Sequence, residues 1–150
     1  MTGLLHFEDF AAGQVLDLGL YTPSKQEIVG FAREFDPQPF HLDEDAAKVS
    51  ILGRLCASGW HTCAIIMRMI ADGFLSRSAG MGSNGVDEVK WLTPVYADES
   101  LTALMTLTGK RVSSKRPEMG VFTYRVDLSS AAGERKCEMT GVFFMHEKHA

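Results

Sequence analysis

The stretch that decides the fold is SGWHTCAIIMRMIA, residues 58–71. Apolar residues fill most of it, and His61, Thr62 and Arg68 are too few to form a clean polar face. A helix that is apolar nearly all round belongs inside a core. Ser58 is a suitable N-cap and an Asp-Gly pair at 72–73 a suitable stop. At about 1.5 Å per residue the run spans roughly 21 Å, too short to cross a membrane. It predicts one buried central helix.

The chain downstream of this helix predicts strands, and one more precedes it. In residues 121–128 the apolar side chains alternate with polar ones, so one face of that strand is predicted to be buried. Consecutive strands with short turns form an antiparallel sheet, and the apolar helix must be covered by it. We therefore predict an α+β fold, a curved antiparallel sheet wrapped around a central buried helix. The predicted strands are 15–21, 86–92, 101–112, 121–128 and 136–146.

Between the first strand and the central helix the sequence predicts two short helices. Ser24 and Glu27 have the spacing of a capping box, and the helix behind them should end near Phe35, before Pro37. Asp43 can cap the second helix, over 44–48. The hexapeptide between them, Asp-Pro-Gln-Pro-Phe-His at 36–41, is predicted to be rigid and extended. Residues 76–85 are predicted to be an irregular connection.

Bulk properties indicate one domain over residues 1–150 and exclude several classes of protein. The net charge of -4 gives no electrostatic footprint for nucleic acid. The first residues lack the basic segment of a signal peptide, so we expect a cytoplasmic protein without a membrane partner. Three cysteines without CxxC spacing favour buried thiols over a metal or redox site.

The hexapeptide at 36–41 resembles the motif of MaoC-like dehydratases, the family of (R)-specific enoyl-CoA hydratases, in which the order is Asp-x-Asn-Pro-x-His. Residues 55–60 resemble the family's small-residue entry to its central helix, and residues 83–95 the strand and proline turn that follow. The resemblance implies the hot-dog fold. It also implies a hydratase that adds water to an enoyl thioester, with trans-2-enoyl-CoA giving a (3R)-3-hydroxyacyl-CoA.

The resemblance implies three catalytic positions, and simple chemistry agrees with them. The prolines let Asp36 and His41 converge on one water, and a carboxylate and an imidazole together can take a proton from water and deliver one to the α-carbon. The free amide of Gly59 at the helix start suits the developing enolate oxygen. Substrate-binding roles are implied for a wider set: Gln38, Pro39, Ser58, Trp60, Ser83, Asn84 and Gly85.

Two residues depart from the family pattern. Gln38 stands where the motif has Asn, which keeps the amide and adds one methylene. Phe35 stands where a small residue is common. We interpret both as features of a subfamily.

No metal or redox cofactor is expected, because coenzyme A is part of the substrate. The open edge of a single sheet favours a homodimer or a higher homo-oligomer. Two alternatives stay open at this point. A hot-dog thioesterase usually has an acidic residue on or beside its central helix, and this helix carries none before Asp72. A non-catalytic acyl-binding or assembly subunit would not need both Asp36 and His41.

Overall fold

The computed structural model describes residues 3–148. Its helices are α1 (Lys25–Phe35), α2 (Pro39–Leu42), α3 (Glu44–Lys48) and α4 (Gly59–Gly73), and its strands are β1 (Val15–Tyr21), β2 (Gly80–Gly82), β3 (Val86–Trp91), β4 (Leu101–Val112), β5 (Met119–Ser130) and β6 (Arg135–His146). Within the described residues, no helix is both long and apolar enough to cross a membrane.

All strands pair antiparallel into one sheet, in the order β1-β4-β5-β6. Beyond β6 lie both β2 and β3, each pairing with a different part of that strand. The predicted strands are all present, and β2 is an addition inside the connection that we expected to be irregular. Pairing with the last residues of β6 makes a three-residue strand out of a glycine-rich segment that carries no strand pattern of its own.

Helix α4 lies against the inner face of the sheet, as the sequence predicts. Ser58 is its N-cap, with the side chain accepting from the amide of Trp60. Ile65, Ile66 and Ile70 are almost wholly buried in the same apolar cluster as the inner residues of β4, β5 and β6. The antiparallel sheet and the helix it covers are the predicted hot-dog arrangement.

The prediction that α4 is buried on nearly all sides is wrong in one respect. Trp60 and Met67 leave 64% and 46% of their surfaces exposed. The sheet can cover only one side of a helix, and in this fold it ends at β3 on the side where these residues point. The apolar residues of α4 therefore form two surfaces, one buried against the sheet and one that the sheet leaves uncovered.

The segment between α1 and α4 also differs from the expectation. Ser24 caps α1 by accepting from the amide of Glu27, as predicted. Residues 36–41 are not extended throughout, because Pro39 begins α2 as its first residue. Proline suits that position, since it lacks the amide hydrogen that a first helical turn leaves unpaired. Asp43 then caps α3 as expected.

Candidate active site

Asp36 is placed by the end of α1. Its amide makes the last bond of the helix, to the carbonyl of Ala32 at 2.9 Å, and Pro37 prevents another turn. The carbonyl of Asp36 then accepts from the amide of Gln38 at 2.8 Å, which turns the chain toward α2. The side chain of Asp36 is left 18% exposed beside the start of α4.

Two neutral donors hold the carboxylate of Asp36 in its charged form. The hydroxyl of Ser58 has the largest effect, and it keeps the pKa of Asp36 below the usual range although partial burial acts to raise it. The side-chain amide of Gln38 donates to Oδ1 at 2.6 Å and acts in the same direction. Gln38 is exposed, but its side chain still hydrogen-bonds the Asp36 carboxylate. Glutamine is one methylene longer than the asparagine of the family motif, and this length is compatible with the bond.

His41 is buried on α2, and its ring is oriented by main chain. Its Nδ1 lies 2.8 Å from the carbonyl oxygen of Cys56. A carbonyl only accepts, so Nδ1 carries the hydrogen and the neutral ring presents an unprotonated Nε2. This assignment follows from the hydrogen-bond partner, and it makes Nε2 a proton acceptor.

The two candidate groups face each other across a short gap. Nε2 of His41 lies 3.6 Å from Oδ2 of Asp36. That separation is too long for a direct hydrogen bond but allows one water, sitting to the side, to reach both atoms. With the carboxylate charged and Nε2 unprotonated, both atoms are acceptors, and a water has two hydrogens to donate.

The N-terminus of α4 adds a possible oxyanion contact. Ser58 is fully buried and Gly59 is the first helical residue. Within the described part of the chain, the amide of Gly59 has no hydrogen-bond partner, as is normal for a first-turn donor. The helix dipole favours negative charge at this amide.

A cleft of about 470 Å³ opens beside these groups. His41 and Gly59 both line this cleft, whereas Asp36 and Ser58 lie behind its lining. The remaining lining is mostly apolar and comes from α2, the loop before α4, α4 itself and the segment after β3: Phe40, Ser50, Ile51, Leu52, Cys56, Ala57, Thr62, Trp91, Leu92, Thr93, Pro94 and Val95. A chain of methylene groups would find apolar partners there.

Several residues with a predicted substrate-binding role do not line this cleft. Gln38 and Pro39 are exposed beside Asp36, and the side chain of Trp60 points out from α4. Ser83, Asn84 and Gly85 form the turn between β2 and β3, and Ser83 borders a different hollow, with Met67 and Phe143. Their predicted roles have no geometric support in the cleft.

The thiol of Cys56 lies 3.9 Å from Nδ1 of His41, which raises the question of a cysteine–histidine pair. Burial raises the pKa of this thiol to about 11, so the thiol is neutral near pH 7. Nδ1 of His41 is also occupied by the Cys56 carbonyl. The thiol therefore lacks both features of an activated nucleophile.

Sequence reasoning missed two functional neighbours. The first is the main-chain carbonyl of Cys56, which cannot be recognised from the sequence because every residue has a carbonyl. Trp91 lies so close to the start of α4 that a Cβ on Gly59 would be 2.5 Å from its ring. The available signal was a tryptophan near the end of a predicted strand, but its partner on α4 is 32 positions away in sequence.

Comparisons with known proteins show what this chain is similar to. Residues 9–128 match the family model described as MaoC like domain. The chain is 32% identical over 130 residues to an (R)-specific enoyl-CoA hydratase of Rhodospirillum rubrum, covering 85% of this chain and 83% of that protein. It is also 32% identical over 120 residues to the uncharacterized protein YdeM of Bacillus subtilis, covering 79% and 83%.

Among solved structures, a MaoC-like dehydratase from Rhodospirillum rubrum superposes with a TM-score of 0.88. The two chains are 35% identical, and the match covers 97% of this chain and 99% of the other. A match over nearly the whole length of both chains shows that the two proteins share this fold.

Proposed function

The chain belongs to the MaoC-like dehydratase family, and from that membership we propose that it adds water to the double bond of an enoyl thioester. The preferred substrate is trans-2-enoyl-CoA, and the product is a (3R)-3-hydroxyacyl-CoA. The observation that carries the proposal is the facing pair of acceptors, Asp36 Oδ2 and His41 Nε2, at the edge of an apolar cleft.

The pair supplies the proton transfers of this reaction. A water held by both groups adds its oxygen to the β-carbon while one proton passes from the water to the pair. The same proton is then delivered to the α-carbon, so the pair returns to its starting state without another donor. Because Asp36 Oδ2 and His41 Nε2 lie only 3.6 Å apart, the water and the returned proton would reach the double bond from the same side.

The free amide of Gly59 suits the charge that develops during the addition. When oxygen attacks the β-carbon, electrons move through the conjugated system to the thioester oxygen. A preformed amide donor in a sheltered site stabilises such an oxyanion, and one donor of this kind is worth about 10²–10³ in rate. We assign the Gly59 amide to that oxygen.

The assembly proposed with this activity is a homodimer or a higher homo-oligomer. Strand β3 pairs with β6 on one edge, and Trp91 is 49% exposed at its end. Trp60 and Met67 on α4 add to this uncovered apolar surface. Large exposed apolar side chains beside a sheet edge are features of association surfaces.

An assay with crotonyl-CoA tests the proposal against its alternatives. Hydration removes the absorbance of the conjugated enoyl group without releasing a thiol. Hydrolysis by a thioesterase would release free coenzyme A, which thiol reagents detect. A non-catalytic acyl-binding subunit would change neither signal. We expect hydration, and thiol release at the same rate as enoyl loss would overturn the assignment. Comparing the hydration rate of crotonyl-CoA with that of the same acyl group on an acyl-carrier protein shows which thioester carrier is preferred.

A further inference from the structure

Lys136, at the start of β6, is the most deeply buried charged side chain that the proposed mechanism does not use. Its side chain has no exposed surface. Its ammonium group donates to the carbonyl of Pro94 at 2.9 Å and to Glu134 at 2.7 Å, and it forms an ion pair with Glu99 at 2.9 Å. Three acceptors match the three hydrogens of an ammonium group, which is the condition under which a buried charge is tolerated.

The charge on Lys136 is maintained in this position. Burial alone would lower the pKa of Lys136, but the hydrogen bonds and charges of Glu134 and Glu99 outweigh it, and the net pKa is raised. The contact with Pro94 is therefore a charge-assisted hydrogen bond.

These contacts fix the connection between β3 and β4, which forms one wall of the cleft. Leu92 starts the connection, and its amide donates to the Lys136 carbonyl at 2.8 Å. Farther along, the second oxygen of Glu99 accepts from the amide of Tyr96 at 3.1 Å. Both the side chain and the main chain of Lys136 thus hold a segment that has no regular secondary structure of its own.

The same connection supports the segment that orients His41. The amide of Ala57 donates to the carbonyl of Val95 at 2.8 Å, and Cys56 forms an isolated antiparallel bridge with Tyr96. The Cys56 carbonyl is the acceptor for Nδ1 of His41. A continuous series of short contacts therefore runs from the ammonium group to the candidate base.

We propose that Lys136 is a positioning residue for His41, acting through the 92–99 connection and the Cys56 carbonyl. The proposal rests on the role assigned to His41 above. Removing the ammonium group frees Pro94 and leaves Glu99 without its cation, so the Cys56 carbonyl loses its fixed position. Since a displacement of about 1 Å in a reacting group can cost 10²-fold in rate, the loss should fall on turnover rather than on substrate binding.

Lys136→Met tests this, because methionine keeps the length and apolar stem of the side chain. Lys110→Met is the matched control. Lys110 also donates to main-chain carbonyls, those of Phe7 and Phe10 at 3.1 and 2.8 Å, but it holds the N-terminal segment rather than the cleft wall. We expect Lys136→Met to lower kcat by about ten- to a hundredfold with KM changed less than threefold, and Lys110→Met to leave both nearly unchanged.

A second readout does not depend on turnover. In protein with ¹⁵N-labelled histidine, the hydrogen-bonded Nδ1–H of His41 should give a slowly exchanging, downfield NMR signal, identified by its loss in His41→Ala. We expect Lys136→Met to weaken or remove that signal and Lys110→Met to retain it. An unchanged signal and unchanged kcat in Lys136→Met would overturn the inference, whatever the change in melting temperature.

Glu99→Gln gives a second test that does not require Lys136→Met to fold. If Lys136→Met fails to fold, Glu99→Gln replaces it, because glutamine can still accept from the Tyr96 amide while losing the ion pair. A smaller loss of kcat together with a weaker His41 signal in Glu99→Gln supports the inference, and no change in either overturns it. If His41→Ala keeps full turnover, the catalytic role of His41 fails, while the ring N–H signal still decides whether Lys136 positions this ring. If the wild-type protein does not hydrate crotonyl-CoA, the proposed function fails, and the same NMR signal again tests the positioning by itself.

Discussion

Nε2 of His41 and Oδ2 of Asp36 face each other at 3.6 Å, with Nδ1 of the same ring occupied by the carbonyl of Cys56. The histidine is thereby fixed in the tautomer whose free nitrogen points at the carboxylate. Two acceptors held in this way do not hydrogen-bond each other, but they can share a donor with two hydrogens. A reaction that uses water as its nucleophile matches this arrangement.

The pair itself gives the first prediction. We expect Asp36→Asn and His41→Ala each to lower kcat by at least about a hundredfold, the scale of a lost general acid–base group. Steady-state hydration of crotonyl-CoA measures the effect, and thermal melts should show little change. Asp45→Asn is the control, since Asp45 is 90% exposed and away from the cleft. Near-normal turnover in either site variant would remove the pair from the mechanism.

A second prediction concerns pH. The Ser58 hydroxyl lowers the pKa of Asp36, so the carboxylate stays charged further into the acid range than an ordinary aspartate. Without the hydroxyl that pKa rises, and the acid limb of kcat/KM should move to higher pH. Ser58→Ala and Ser58→Gly both lack the hydroxyl, but glycine caps helices much better than alanine. We expect the same limb shift in both, with the larger loss of stability in Ser58→Ala. Ser76→Ala is the control. If the acid limb of kcat/KM does not move in the Ser58 variants, the prediction is refuted.

Gly59 gives the third. A methyl group at this position would meet the ring of Trp91 at 2.5 Å, so Gly59→Ala should lower both turnover and melting temperature. We expect the double variant Gly59→Ala with Trp91→Ala to recover to within a few-fold of Trp91→Ala alone, because the amide at 59 is retained. Gly30→Ala, where the methyl meets open space, controls for a glycine-to-alanine change in a helix.

That cycle also separates two reasons for glycine at 59. A side chain at 59 can block the approach of the substrate carbonyl to the amide, or it can collide with the ring of Trp91. If the double variant stays as inactive as Gly59→Ala, this blocking account holds and the packing account fails.

The fourth prediction separates the Cys56 carbonyl from the Cys56 thiol. His41 uses the carbonyl, and the thiol, with a pKa of about 11, is neutral near pH 7. We therefore expect Cys56→Ala to keep kcat within a few-fold of the wild type, and alkylating reagents at pH 7 to leave activity intact. Loss of turnover comparable to that of His41→Ala would show that the thiol takes part in the chemistry.

Assembly gives the fifth. Sedimentation at micromolar concentration should show a dimer or a higher oligomer, and Trp60→Glu should shift it toward monomer by placing a charge on the uncovered face of α4. Leu104→Glu is the control, because Leu104 is a comparably exposed apolar residue on β4. A wild-type protein that sediments only as monomer would contradict the expectation.

The sequence determined the main elements of this protein, because they depend on local patterns. The apolar run at 58–71 and the alternation in β5 identify a core helix and a half-buried strand, and Ser24, Asp43 and Ser58 mark helix starts by their own hydrogen-bonding chemistry. The candidate pair could also be predicted from the sequence, since Asp36 and His41 lie five positions apart in one recognisable motif.

Only the tertiary structure decided what depends on contacts distant along the chain. The hydrogen-bond partner of His41 is a main-chain carbonyl, the neighbour of Gly59 is the ring of Trp91, and the wall of the cleft is held by Lys136, 95 positions after His41. Carbonyls carry no sequence signal, and a lysine at the start of a strand is expected from sequence to face solvent. The sheet brings these groups together because antiparallel pairing places the start of β6 beside the end of β3, a relationship that no local pattern encodes.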